Sequence, residues 1–228
     1  MRYAQYILLT ALLVPGLAQA SPSDTGTWRF KVLLDGKPVG YHTFRVARDG
    51  DVQSVRVDAD FEVKVLFVTL YAYQLDAQEI WQGGCLRQIS SQTSVNGERF
   101  RVHGERQAGD MEITRSKAGV ASVRKLSGCV MTFAYWDPAI LAQSRLLNVQ
   151  TGQYMNVDVQ RVGQAAIDVQ GRPVTATQYR LRADKLDIDL WYGPGGEWLK
   201  LASKVGHRTL EYQRLAPLPA EFRLADTD

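Results

Sequence analysis

The chain reads as a mainly β protein: a strongly curved antiparallel sheet or partial barrel, strung as a meander, with one short helix. Two observations predict the antiparallel meander. Apolar and polar residues alternate with the two-residue period of a strand along most of the chain. Turn signals built from Gly, Pro, Asn and Asp recur roughly every eight to fifteen residues.

Residues 1–20 have the form of a secretory signal peptide. Arg2 supplies a basic start, Ile7 to Val14 a short apolar run, Pro15-Gly16 a helix break, and Ala18-Gln19-Ala20 the small residues that a signal peptidase accepts, so cleavage is expected between Ala20 and Ser21. A spanning helix needs roughly 20 apolar residues, far more than this run holds. Ser21 is not Cys, so no lipid is attached there, and the expected address of the mature chain is the periplasm.

Residues 21–216 are expected to form a single antiparallel β domain. Trp28, Phe30, Val32 and Leu34 share one face of a first strand that ends at the turn Asp35-Gly36-Lys37-Pro38. A second strand from about Val39 to Ala47 runs into Asp49-Gly50-Asp51. Next, Val55, Val57, Ala59, Phe61, Val63, Val65 and Phe67 hold the odd positions against Arg56, Asp58, Asp60, Glu62 and Lys64, and the odd pattern resumes at Tyr71, Tyr73 and Leu75. This reads as one long strand that bends or bulges near Thr69. The strand ending at Trp81 turns at Gly83-Gly84. Asn96-Gly97 carries the signature of a type I′ hairpin leading into Arg99–His103. Shorter strands follow over 110–116 and 120–125.

Asp137-Pro138 is the one good helix start in the mature chain, with Asp as cap and Pro at the first helical position, for a short helix to about Gln143. Alternation then returns over 154–162, 165–169, 174–183, 186–192, 197–205 and 208–215, with Gly163, Gly171-Arg172-Pro173, Gly193–Gly196 and Gly206 between. Residues 217–228, beginning Pro217-Leu218-Pro219, read as a loosely ordered tail.

The formal charge is +3 and the basic residues are scattered, which excludes the focused basic face that nucleic acid requires. No segment of the mature chain is long and apolar enough for an integral membrane helix. The two cysteines, Cys85 and Cys129, enter an oxidising compartment, where a lone pair becomes a disulfide; two unpaired buried thiols are the alternative. A bridge would close a loop of about 45 residues, worth about 4 kcal/mol by chain entropy. With no Cys-x-x-Cys, nothing depresses a thiol pKa for redox chemistry.

Candidate catalytic groups are sparse. His42, His103 and His207 fall inside expected strands, away from any Gly-x-Ser-x-Gly motif and without ligand spacing for zinc, and read as solvent-face residues or satisfied polar neighbours. Asp184, Asp187 and Asp189 are the densest carboxylates. Beside Arg182 and Lys185 they read as a charged outer strand face. No cofactor and no metal is expected. The aromatic set is more informative: Phe61, Phe67, Tyr71, Tyr73, Trp81, Phe133, Tyr135, Trp136, Trp191, Tyr192 and Trp198 either fill a sandwich-like core or line a ligand groove.

Three stretches carry a resemblance: 39–46 (VGYHTFRV), 81–86 (WQGGCL), and 197–201 (EWLKL) followed by 206–212 (GHRTLEY). They resemble a family of uncharacterised exported bacterial proteins defined by a domain of unknown function. Its strand plan is similar to that of the periplasmic lipoprotein carriers, whose curved sheet wraps a helix and holds acyl chains. The resemblance implies a bent sheet with a concave apolar face. The chain differs from the carriers in having a single short internal helix.

These readings converge on an expected function: a non-enzymatic periplasmic binding module offering an aromatic-lined groove, with Phe61, Phe67, Tyr71, Tyr73, Trp81, Tyr135, Trp136, Trp191, Tyr192 and Trp198 as ligand-binding candidates for a lipid or other apolar molecule. The rival is an envelope interaction or assembly protein that takes a partner polypeptide at a sheet edge. An outer-membrane barrel is disfavoured by the ending Leu224–Asp228, which lacks a terminal aromatic strand. An enzyme would need a site built from residues distant in sequence.

Overall fold

Residues 25–65 and 68–215 are described by a computed structural model. The signal peptide, Phe67 and the tail at 217–228 lie outside the described residues. Eight strands follow one another as hairpins: β1 (Thr25–Leu34), β2 (Lys37–Asp49), β3 (Val52–Val65), β4 (Val68–Gln82), β5 (Cys85–Val95), β6 (Glu98–Gln107), β7 (Asp110–Lys117) and β8 (Val120–Ser127). A connecting segment then carries a 3₁₀ turn (Pro138–Ala142) and a small hairpin of β9 (Arg145–Leu147) and β10 (Tyr154–Asn156). A second run of hairpins completes the chain: β11 (Asp158–Val169), β12 (Arg172–Ala183), β13 (Leu186–Tyr192), β14 (Trp198–Val205) and β15 (Arg208–Arg214).

The two runs join where β15 pairs with β1, giving one 13-stranded antiparallel sheet with β11 at one edge and β8 at the other. The sheet is curled but not closed, since β8 and β11 do not pair. Its curvature can be read from ring contacts. Phe44 on β2 and Trp198 on β14 are three strands apart, about 14 Å on a flat sheet, yet their ring centroids are 5.2 Å apart.

Alternation places the core. Phe30, Val32, Phe44, Val46, Val55, Val57, Leu75, Ala77, Trp81 and Ile89 all point into the hollow and are buried there. The hollow is filled from within by the segment that follows β8, which contributes Val130, Met131, Trp136, Ile140, Leu146 and Leu147, all nearly inaccessible. β5 supplies three of the links that hold this plug. Leu86 N–H donates to the Val130 carbonyl at 2.9 Å, the Ser91 hydroxyl donates to the Val149 carbonyl, and Cys85 is disulfide-bonded to Cys129. The expected helix is the 3₁₀ turn, entered as anticipated through Asp137, whose carboxylate accepts from Ala139 N–H at 2.9 Å. Asn96 and Gly97, with φ of 50° and 85°, form the expected left-handed turn pair.

Three strand expectations are corrected. The supposed long strand through Thr69 is the hairpin of β3 and β4, in register from Val65↔Val68 back to Val52↔Gln82. Leu66 and Phe67 carry none of the usual turn residues. A one-residue shift between Val63 and Lys64 restores odd-to-odd pairing, so the odd positions stay on the inner face across the reversal and mimic one strand. Gly163 does not separate two strands; it sits at a bulge within β11, where pairing skips from Arg161 to Gly163. The strand expected over 154–162 is divided: Tyr154–Asn156 pairs with β9, and β11 begins at Asp158.

Candidate functional site

Between the plug and the inner face of the sheet lies a cavity of about 190 Å³. Its sheet wall comes from His42, Phe44 and Val57 on β2 and β3, Tyr73, Leu75 and Glu79 on β4, Ile188 on β13 and Tyr212 on β15; the plug adds Thr132 through Trp136 and Asn148. Larger depressions exist on the outer surface. One of about 470 Å³ is bounded by Asp58, Asp60, Asp76, Arg99 and Arg101, the solvent-facing half of the alternation. Apolar walls and buried polar atoms occur together in the inner cavity.

One histidine and one carboxylate, His42 and Glu79, are among the residues lining this cavity. His42 shares the inward-facing even positions of β2 with Phe44 and Val46 and is only 8% exposed. Its ring stacks on Phe44 at 4.2 Å and meets the edge of Phe61 at 5.9 Å. A 2.9 Å hydrogen bond joins its Nδ1 to the Tyr212 hydroxyl. Burial pushes the imidazole pKa down to about 3, so the ring is neutral at ordinary pH. Its Nε2 is buried and has no hydrogen-bond partner among the described residues. The reading of His42 as solvent-facing or satisfied is therefore corrected: β2 alternates in even numbers, which puts His42 inside with one nitrogen unmet.

Glu79 lies between Ala77 and Trp81 on the inward positions of β4 and is 2% exposed. Its carboxylate accepts from Trp81 Nε1 at 2.8 Å. Burial raises its pKa to about 7, against hydrogen bonds from Trp81 and Thr132 that lower it. Around the pair, burial also holds the Tyr73, Tyr135 and Tyr212 hydroxyls above the ordinary phenol range.

The aromatic candidates divide. Tyr73, Tyr135 and Trp136 line the cavity. Phe61 lies parallel to Tyr73, with ring centroids 5.3 Å apart, and backs the wall. Trp81 and Trp198 are fully buried in the core; Trp81 meets Trp136 edge to face at 5.5 Å. Tyr192 is buried and donates to the Tyr135 carbonyl at 2.8 Å. Tyr71 is half-buried on β4. Trp191 belongs to a separate small cluster with Val169, Ala176 and Leu199, where Lys200 sits 5.2 Å from its ring centre. Phe67 lies outside the described residues.

The carboxylates near Asp187 form the expected charged face. Arg180 pairs with Asp189 at 2.9 Å and with Asp187 at 3.7 Å. Among the described residues no group of three or more His, Cys, Asp or Glu side chains is placed to hold a metal ion, and no helix is long and apolar enough to cross a membrane. Sequence reasoning missed His42, Glu79 and Tyr212 as wall residues. The signal was available in strand parity, which puts all three on inward positions.

Curled antiparallel sheet, internal plug and the cavity between them together define a barrel-like β protein. Among solved structures, the crystal structure of a β-barrel-like protein of domain of unknown function DUF1849 from Brucella abortus superposes with a TM-score of 0.64 at 9% identity, covering 85% of this chain and 97% of that one. At that identity the likeness concerns the fold. No curated protein matches the chain. The model of the family described as Domain of unknown function (DUF6134) matches residues 30–215, and the chain belongs to that family.

Proposed function

We propose that this protein is a non-enzymatic binding module of the cell envelope that holds an apolar ligand between its plug and the inner face of its sheet. The observation that carries the reading is the cavity of about 190 Å³, walled by Phe44, Tyr73, Phe133, Tyr135 and Trp136 between the sheet and its plug. A dry cavity of about 150 Å³ is enough to bind benzene, and drug-sized ligands need about 300–1,000 Å³. The volume suits a single ring or a short alkyl segment, so a lipid would enter by one end only. The Cys85–Cys129 bridge fits an oxidising compartment, which supports an exported, periplasmic address.

Native mass spectrometry of protein purified from its own envelope tests the reading, together with uptake of fluorescent fatty acids and small aromatic dyes. A co-purifying apolar molecule, or saturable uptake that ends when Ala134→Phe fills the cavity, is expected. Ligand-free protein with no uptake of either probe class would overturn it.

A second reading is favoured by one observation. Both sheet edges are exposed, and β8 and β11 present Val120, Val123 and Val162 to solvent at 78%, 57% and 53%. Such edges can accept a strand from a partner polypeptide. A pull-down that returns one stoichiometric envelope protein, lost when Val123→Pro blocks the β8 edge, would favour this role.

A further inference from the structure

Resting on the binding-module reading, we infer that the cavity selects a neutral, ring-sized molecule carrying one hydroxyl or carbonyl group, which completes the hydrogen bonding of His42 Nε2. Two observations meet at His42: it lines a cavity of a size that suits one ring, and its buried Nε2 is without a partner among the described residues.

The imidazole is fixed before any ligand arrives. Phe44 covers one face, the edge of Phe61 meets it, and Tyr212 holds Nδ1 at 2.9 Å. The ring cannot turn Nε2 toward another protein group without giving up the Tyr212 bond. A buried nitrogen left unmet is destabilising, so a ligand that supplies a hydroxyl or carbonyl recovers a bond the folded chain lacks. Which it must supply follows from the tautomer: if Tyr212 donates to Nδ1, then Nε2 carries the proton and wants an acceptor, and in the other tautomer it wants a donor. A hydroxyl satisfies both.

A charged ligand fits poorly. An anion would enter a wall that already holds Glu79, and either sign of charge would be stripped of water by aromatic neighbours. Glu79 is already engaged by Trp81 Nε1. His42 and Glu79 therefore act as polar markers in an apolar wall, and the ligand class that meets them without a net charge is phenol-like.

The test uses phenol, toluene, benzoate and benzylammonium with the full mature protein at pH 7.5, followed by calorimetry and by ¹⁵N NMR of the imidazoles. His103 and His207 are exposed and serve as internal references. Phenol is expected to bind about tenfold more tightly than toluene, a difference of about 1.4 kcal/mol, and both more tightly than either ion. Phenol, and not toluene, is expected to move the His42 Nε2 resonance. In His42→Phe the preference for phenol disappears while toluene binding persists. The NMR arm needs no variant and stands if that substitution fails to fold.

Equal affinities for phenol and toluene with an unmoved Nε2 signal would overturn this inference while leaving an apolar pocket intact. Tighter binding of benzoate or benzylammonium would overturn it in favour of a charged ligand. Failure of all four probes to bind would overturn it as well, and the co-purification experiment then decides separately whether the module binds anything.

Discussion

Replacing Glu79 with Gln should expose a compensation between two buried groups. Glu79 has its pKa raised from 4.5 to about 7 by burial. The folded state therefore holds that proton more tightly than the unfolded chain. Its contribution is fully present below pH 4.5 and is lost as pH rises through 7, a change of about 3 kcal/mol. His42 runs the other way. Its pKa falls from 6.5 to about 3, so its contribution is present above pH 6.5 and is lost as pH falls through 3.

Between about pH 4.5 and 6.5 the two slopes, each near 1.4 kcal/mol per pH unit, oppose and cancel. Gln keeps a carbonyl oxygen for Trp81 Nε1 and cannot ionise. The difference in unfolding free energy, wild type minus Glu79→Gln, should fall by about 3 kcal/mol between pH 4 and pH 8. Urea unfolding at unit pH intervals, with m-values checked for constancy, measures it. Parallel stability curves for the two proteins across that range would refute both the burial of Glu79 and the account of its titration.

Removing both sulfurs with Cys85→Ser and Cys129→Ser should cost up to about 4 kcal/mol, read as a lower urea midpoint that reducing agent reproduces in the wild type only. Gly40→Ala should cost about 3 kcal/mol in the same assay, because the backbone there has φ of +154° and an added Cβ would stand 1.9 Å from the Asp60 carbonyl oxygen. Tyr212→Phe should cost about 1 kcal/mol by freeing His42 Nδ1, and by circular dichroism the sheet should be unchanged. Asp189→Asn, which breaks an ion pair with Arg180 on the outer surface, should shift stability by less than about 1 kcal/mol, and by less still in high salt.

How much of this was legible in the sequence depended on whether the information was local. Strand period, the Asn96-Gly97 turn and the Asp137 cap are local, and each matches its element closely. The β3–β4 reversal was hidden because a bulge between Val63 and Lys64 keeps the inward parity unbroken across it. The cavity is a product of tertiary packing. Tyr73, Tyr135 and Trp136 belong to the same aromatic set as Trp81 and Trp198, and only the path of the plug decides which rings border space and which fill it. His42 and Glu79 could have been found by extending the parity rule from apolar residues to polar ones, since each sits between inward-facing neighbours.

The seam where β15 meets β1 sets the order in which this molecule can be finished. His42 and Tyr212, which face each other in the cavity wall, are 170 residues apart in sequence, so that wall has no second side until nearly the whole chain has been made. Until β15 arrives, the first hairpins stand with β1 bare along one side. Such long-range pairings favour slow folding, and an early hairpin in this state is open to capture by other chains. The same connectivity that builds the pocket thus leaves the early hairpins without their last neighbour until β15 arrives.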